Sequence, residues 1–169
     1  PIGGMVFGMA LVGIIIAVFA RRKPAVVNRT FGRLQIISSA WFALTHGAND
    51  GQKTMGIIVL ILFSAGIISE IHMPLWVILA AASAMGLGTF FGGYKVIKTL
   101  GLKITRLKPY QGFAAETGGG MMLAIFAVLG IPASTTHAIT GTIMGAGAAR
   151  RKRAVRWKVS RQIIFSWVI

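Results

Sequence analysis

The amino-acid sequence predicts an all-α polytopic membrane protein, and three observations carry that expectation. Of 169 residues, 55% are hydrophobic and 12% charged, with a mean hydropathy of +0.75, far from the mixed composition of a soluble domain. The apolar residues come in runs of about 20, the length a helix needs to cross a hydrocarbon core about 30 Å thick, rather than in amphipathic stripes. The basic residues gather between those runs: five in 21–33, five in 95–108 and seven in 150–161, with Lys53 alone outside. Basic loops beside spans mark the cytoplasmic side and attract anionic lipid headgroups.

The net charge of +15 is therefore loop charge. Nucleic acid is not an expected partner, because the basic segments carry few aromatic side chains on which bases could stack. Cysteine is absent, which removes a disulfide framework, a thiolate nucleophile and a cysteine-based metal site.

Residues 2–20 (IGGMVFGMALVGIIIAVFA) form the first expected span, with Gly4 and Gly8 at the small-xxx-small spacing that lets helices approach closely. Residues 34–68 are too long for one span and their middle, HGANDGQKTMG, is polar and rich in glycine. The pattern predicts a helix broken at membrane depth, crossing once as two half-helices. Residues 74–93 (PLWVILAAASAMGLGTFFGG) open on Pro74, carry Trp76 near an interface and close on paired glycines, which makes them the cleanest span. Residues 110–149 are long again and are expected to break at Gly118 to Gly120 and at IPASTTH, with Gly141 and Gly145 at packing spacing beyond. They predict a hairpin, of full spans or re-entrant halves.

With all three basic clusters cytoplasmic, residues 68–73 are external. No internal repeat is visible within the chain. The closing residues QIIFSWVI look like the opening of a further apolar segment, so the chain is expected to be a fragment.

Three acids are present, Asp50, Glu70 and Glu116, and two fall in segments that are otherwise apolar. Glu70 and His72 read as loop. A carboxylate at the centre of a membrane helix costs about 2.5 to 3.5 kcal/mol on insertion scales, so it is tolerated where it faces a cavity or an ion. Asp50 is the first candidate on this ground; a structural pair with Lys53 is the alternative. Asn49, the Asp50 carboxylate and carbonyls freed by Gly47, Gly51 and Gly56 would together offer hard oxygens to a small cation.

In the second polar stretch Ser134 resembles an N-cap, with Thr135 and Thr136 following. A helix N-terminus lined with hydroxyls can hold an oxyanion without a full countercharge, while an ordinary cap with back-bonded hydroxyls is the alternative. His137 and His46 fit either proton relay or a hydrogen bond inside a bundle. An enzyme is not expected: no strand-turn-helix nucleophile elbow surrounds Ser134, and the histidines do not stand at metal-protease spacing.

THGANDGQKTMG, then YQGFAAETGGG and GIPASTTHAITGTIMG, with GTFFGGYKVIKTLG between, resemble the C-terminal half of the inorganic phosphate transporter (PiT) family, and the DGQK form is similar to its bacterial low-affinity permeases. The resemblance implies one repeat of an inverted-repeat secondary transporter, with residues 1–169 as a single transmembrane domain whose upstream repeat and final helix lie outside the chain. It implies symport of inorganic phosphate with Na+ or H+ across the cell inner (plasma) membrane, as a multi-pass protein without an organic cofactor. Sulfate or another oxyanion is the alternative cargo, and a channel or assembly subunit the alternative class. Implied partners are phosphate, membrane lipid, the upstream repeat and, as an option, a second copy in a homodimer.

Carried onto this sequence, the resemblance assigns phosphate to Asn49, Ser134, Thr135 and Thr136, with Gln52 assisting. Phosphate is an anion, so an ionised Asp50 would repel it unless a cation lay between them. Asp50 is therefore expected to hold the coupling cation, with Asn49 beside it and Glu116 as a lower-ranked proton or cation site. Lys53 and His137 are secondary. No metal is expected beyond Na+ at Asp50.

Overall fold

The computed structural model describes residues 1–98 and 103–167. Residues 99–102, within the second basic segment, and 168–169, within the closing apolar segment, lie outside the described residues. Helices α1 (Ile2–Val18), α2 (Pro24–Ser64), α3 (Leu75–Lys98), α4 (Pro109–Val128), α5 (Thr135–Ala148) and α6 (Trp157–Phe165) follow one another, with a 3-10 turn at Lys152–Ala154 before α6. No strand occurs among the described residues.

Pro24 and Pro109 start α2 and α4, where a missing N–H costs nothing and the fixed φ suits the first turn. The same device stops both helices. Gly66 and Gly130 take φ of 70° and 67°, and around them Gly66 N donates to Phe63 O, Ile67 N to Leu62 O, Gly130 N to Ala127 O and Ile131 N to Phe126 O. This paired bonding to the last carbonyls needs a left-handed residue, which glycine adopts without a Cβ penalty.

Two expectations about breaks are corrected. α2 runs unbroken for 41 residues through Asn49 and Asp50, about 60 Å at 1.5 Å per residue, rather than as two half-helices. Glycine inside a helix costs only about 1 kcal/mol relative to alanine, whereas unwinding at membrane depth would leave backbone groups without partners. The Asp50 charge is met by side chains instead, as described below, so no carbonyls are freed by Gly47, Gly51 or Gly56. The Gly118 to Gly120 run is likewise helical within α4. Its bare backbone is a packing face: a Cβ at Gly118 would stand 3.1 Å from Leu11 of α1, one at Gly119 3.0 Å from Phe42 of α2, and one at Gly120 2.6 Å from the Trp41 indole of α2.

The hairpin turns at residues 129–134, where the second polar stretch was read. Its first arm, α4, has 20 residues and its second, α5, has 14, about 30 and 21 Å long. The second arm is thus shorter than the roughly 20 residues a helix needs to cross a hydrocarbon core. α5 is held against α1 through glycines on both sides: a Cβ at Gly4 would stand 2.7 Å from Ala138 O, one at Gly8 would meet the Thr142 backbone, and those at Gly141 and Gly145 the backbones of Pro1 and Met5. Small residues at this spacing bring two helix backbones into direct contact.

α1, α2, α4 and α5 share one apolar core that includes Val12, Phe31, Ala114, Ala115 and Ile143, with Phe31 packed edge-on between Phe19 and Phe113. α3 packs mainly on α2. Among the described residues it is the one helix long and apolar enough to cross a membrane by length and composition, over Leu75–Tyr94 with mean hydropathy 1.7, and α1 is a shorter apolar helix. Phe90 and Phe91 of α3 are 81% and 79% exposed, a surface suited to lipid and costly in water.

Candidate functional site

Asp50 stands in the C-terminal half of α2 and faces the N-terminus of α5. Thr135 Oγ1, at the first position of α5, donates to Asp50 Oδ2 at 2.9 Å. His46 Nε2, one turn earlier on α2, lies 3.0 Å from the same oxygen. Lys53 Nζ, one turn later, lies 3.2 Å from Oδ1 and also donates to the Ala133 carbonyl. Both carboxylate oxygens are therefore engaged, and two helices are joined through them. Positions three and four apart share a helix face, which is why His46, Asp50 and Lys53 converge.

The α5 N-terminus is built as the sequence suggested. Ser134 has extended backbone angles and its hydroxyl accepts from His137 N at 3.3 Å, the N-cap arrangement that satisfies one of the first four N–H groups. The other early N–H groups of such a helix have no intrahelical acceptor and concentrate its partial positive charge. Thr135 is buried beside Asp50, and Thr136 is exposed. The His137 ring is spent elsewhere, with its centroid 3.9 Å from that of Trp167.

A cavity of about 800 Å³ opens beside this junction, lined among others by Gln35, His46, Glu116, Thr135 and Thr136. Glu116 on α4 is bound from α2: Ser38 Oγ donates to its Oε2 at 2.5 Å and Gln35 Nε2 to its Oε1 at 3.3 Å. One wall thus carries a carboxylate already supplied with two donors, and the other carries hydroxyls at a helix end.

Of the residues singled out in the sequence, Asp50, Lys53 and Thr135 are brought into contact, and Thr136 and Glu116 face the same cavity. Asn49 is buried, 4% exposed, without a side-chain hydrogen bond to this group among the described residues. Gln52 is exposed and joins none of these contacts. The direct contact of His46 with Asp50 was not foreseen, although their four-residue spacing on one helix face was there to read. Gln35 and Ser38 were missed altogether; the only signal was a pair of polar residues three apart in an apolar stretch.

The sequence matches the phosphate transporter family over residues 4–169. It is 50% identical over 167 residues to a protein of Rhizobium meliloti (strain 1021) named as a probable low-affinity inorganic phosphate transporter, covering 98% of this chain and 50% of that one. A protein of Bacillus subtilis (strain 168) with the same name is 39% identical over 170 residues, covering 100% of this chain and 51% of its own. Among solved structures, one described as the sodium-dependent phosphate transporter superposes with a TM-score of 0.74 at 31% identity, over 90% of this chain and 40% of that one. The chain spans about half the length of the Rhizobium and Bacillus relatives. All are named as transporters, which are not enzymes.

Proposed function

This chain belongs to the phosphate transporter family, and from that premise we propose that it forms one half of a cation-coupled symporter of inorganic phosphate. Residues 1–169 act as a single membrane domain and contribute two elements to a shared site, while the remaining length of the transporter supplies the opposing repeat. Asp50 holds the coupling cation, Na+ or H+. The α5 N-terminus receives the phosphate oxyanion through the Ser134 and Thr136 hydroxyls and the first backbone N–H groups, that of Thr135 included, while the one hydroxyl proton of Thr135 stays on Asp50. Asn49 supports the cation side from its buried position, and Glu116 on the far wall of the cavity is a second proton or cation site.

The observation that carries this reading is the Thr135–Asp50 hydrogen bond, 2.9 Å across 85 positions of sequence. It puts a carboxylate and a helix N-terminus side by side, so a cation at one and an anion at the other are within mutual reach. Coulomb attraction across a short distance is worth several kcal/mol at the effective dielectric of a partly buried site. Each ion then lowers the cost of binding the other, which is what coupling requires.

The test uses the full-length transporter in proteoliposomes. Asp50→Asn removes the charge and preserves the shape, and its phosphate uptake is expected to lose cation dependence or to fail. Uptake by that variant with unaltered coupling to the cation gradient contradicts the assignment. Sulfate competition in the same vesicles separates phosphate from the alternative oxyanion cargo.

A further inference from the structure

We propose that Lys53 is the resident countercation of Asp50: its ammonium holds the carboxylate in the absence of an external cation and is displaced when one binds. The proposal rests on the reading of Asp50 as the coupling-cation ligand and adds a competitor for that ligand within the chain.

The geometry is that of one ammonium bridging two helices. Lys53 Nζ lies 3.2 Å from Asp50 Oδ1 on its own helix and donates to Ala133 O, the residue before the Ser134 cap of α5. Asp50 Oδ2 is meanwhile shared by Thr135 and His46. Each carboxylate oxygen has lone pairs to spare, so an incoming cation can sit beside an uncharged donor but competes with a charged one. Thr135 carries no charge to be duplicated, whereas an ammonium and a second cation on one carboxylate repel each other. Lys53 is therefore the donor that leaves.

Its departure is self-consistent in two further respects. The Lys53 side chain is 37% exposed, and it is long and flexible, so it can withdraw toward the open side without breaking the packing of α2. Leaving also frees two oxygens at once, Asp50 Oδ1 and the Ala133 carbonyl, both of the hard type that alkali cations take. The link between α2 and the start of α5 passes from the ammonium to the incoming cation. The positive charge beside the anion-receiving helix end is present throughout. Lys53 thus sets how much external cation is needed to occupy Asp50.

The test is a sodium titration, with choline as the ionic-strength control, of the thermal unfolding of the full-length transporter in detergent. Lys53→Met removes the competing charge, and its stabilisation by sodium is expected at concentrations about 10-fold lower than for the parent, equivalent to about 1.4 kcal/mol. Lys53→Gln, which keeps a hydrogen-bond donor but no charge, is expected to shift in the same direction, and Lys53→Arg to remain at or above the parental concentration. Sodium dependence of phosphate uptake by the Gln variant in membranes provides the same comparison if the Met variant does not fold. Neutral variants that respond to sodium at the parental concentration, at a higher one, or not at all overturn the proposal. The double variant Asp50→Asn/Lys53→Met separates the two readings. Loss of its sodium response supports Asp50 as the ligand whatever Lys53 does, and a retained response overturns the Asp50 reading and the proposal with it.

Discussion

Thr135 binds Asp50 through a hydroxyl that valine would replace with a methyl of similar size, so the contribution of that bond can be isolated. Hydrogen bonds to charged groups are worth about 1.5 to 3 kcal/mol, or roughly 10- to 150-fold in an equilibrium constant. Thr135→Val in the full-length transporter is expected to lower stability by about 1.5 to 3 kcal/mol, and Thr135→Ser to restore most of it, as read by thermal unfolding in detergent. Ser38→Ala removes the nearer of the two donors to Glu116 and is expected to lower stability by about 1 to 3 kcal/mol, measured by thermal unfolding in detergent. At this scale the sequence was informative where the cost of a charge in lipid singled out Asp50 and Glu116. It was silent on their partners, because Ser38 and Thr135 stand 78 and 85 positions away from the carboxylates they bind and only tertiary packing brings them there.

Helices α1 and α5 touch backbone to backbone because glycine occupies both sides of the contact. Alanine at Gly8 or Gly145 has no side chain to push aside and must separate the helices. Each substitution is expected to cost about 3 kcal/mol or the fold itself, at the upper end of overpacking effects, whereas Gly13→Ala, with nothing within 4 Å of its Cβ in this chain, should be near neutral. Detergent unfolding temperatures of the three variants check this. The spacing of Gly4 with Gly8, and of Gly141 with Gly145, announced this packing in the sequence. Glycine misled elsewhere for a physical reason: the same residue that permits a break also permits close approach. Local sequence does not say which use applies at Gly118 to Gly120, where the neighbours are Leu11, Phe42 and Trp41. The uninterrupted path of α2 past Gly47 and Gly51 shows that a polar, glycine-rich stretch stays helical when its charge finds side-chain partners.

The whole molecule brings a carboxylate on one helix and the N-terminus of a short hairpin arm to the edge of an open cavity, with an apolar exterior around them. Since the chain spans about half the length of its relatives, expression of residues 1–169 alone in cells lacking phosphate uptake is expected not to restore it, whereas the full-length transporter should. The all-helical character and the hairpin turn at residues 129–134 were legible from apolar run lengths and the IPASTTH stretch. The position of α5 against both α1 and α2 was not, since it depends on contacts between segments far apart in the chain. The central claim is that cation and phosphate occupy neighbouring halves of one site and stabilise each other. The most direct measurement is their reciprocal coupling in the full-length transporter: phosphate affinity with and without the cation, and cation affinity with and without phosphate. The account predicts that each ligand tightens the other by the same factor, as linkage demands, and that this factor falls to near one in Asp50→Asn. Equal coupling in the parent and in Asp50→Asn would contradict it.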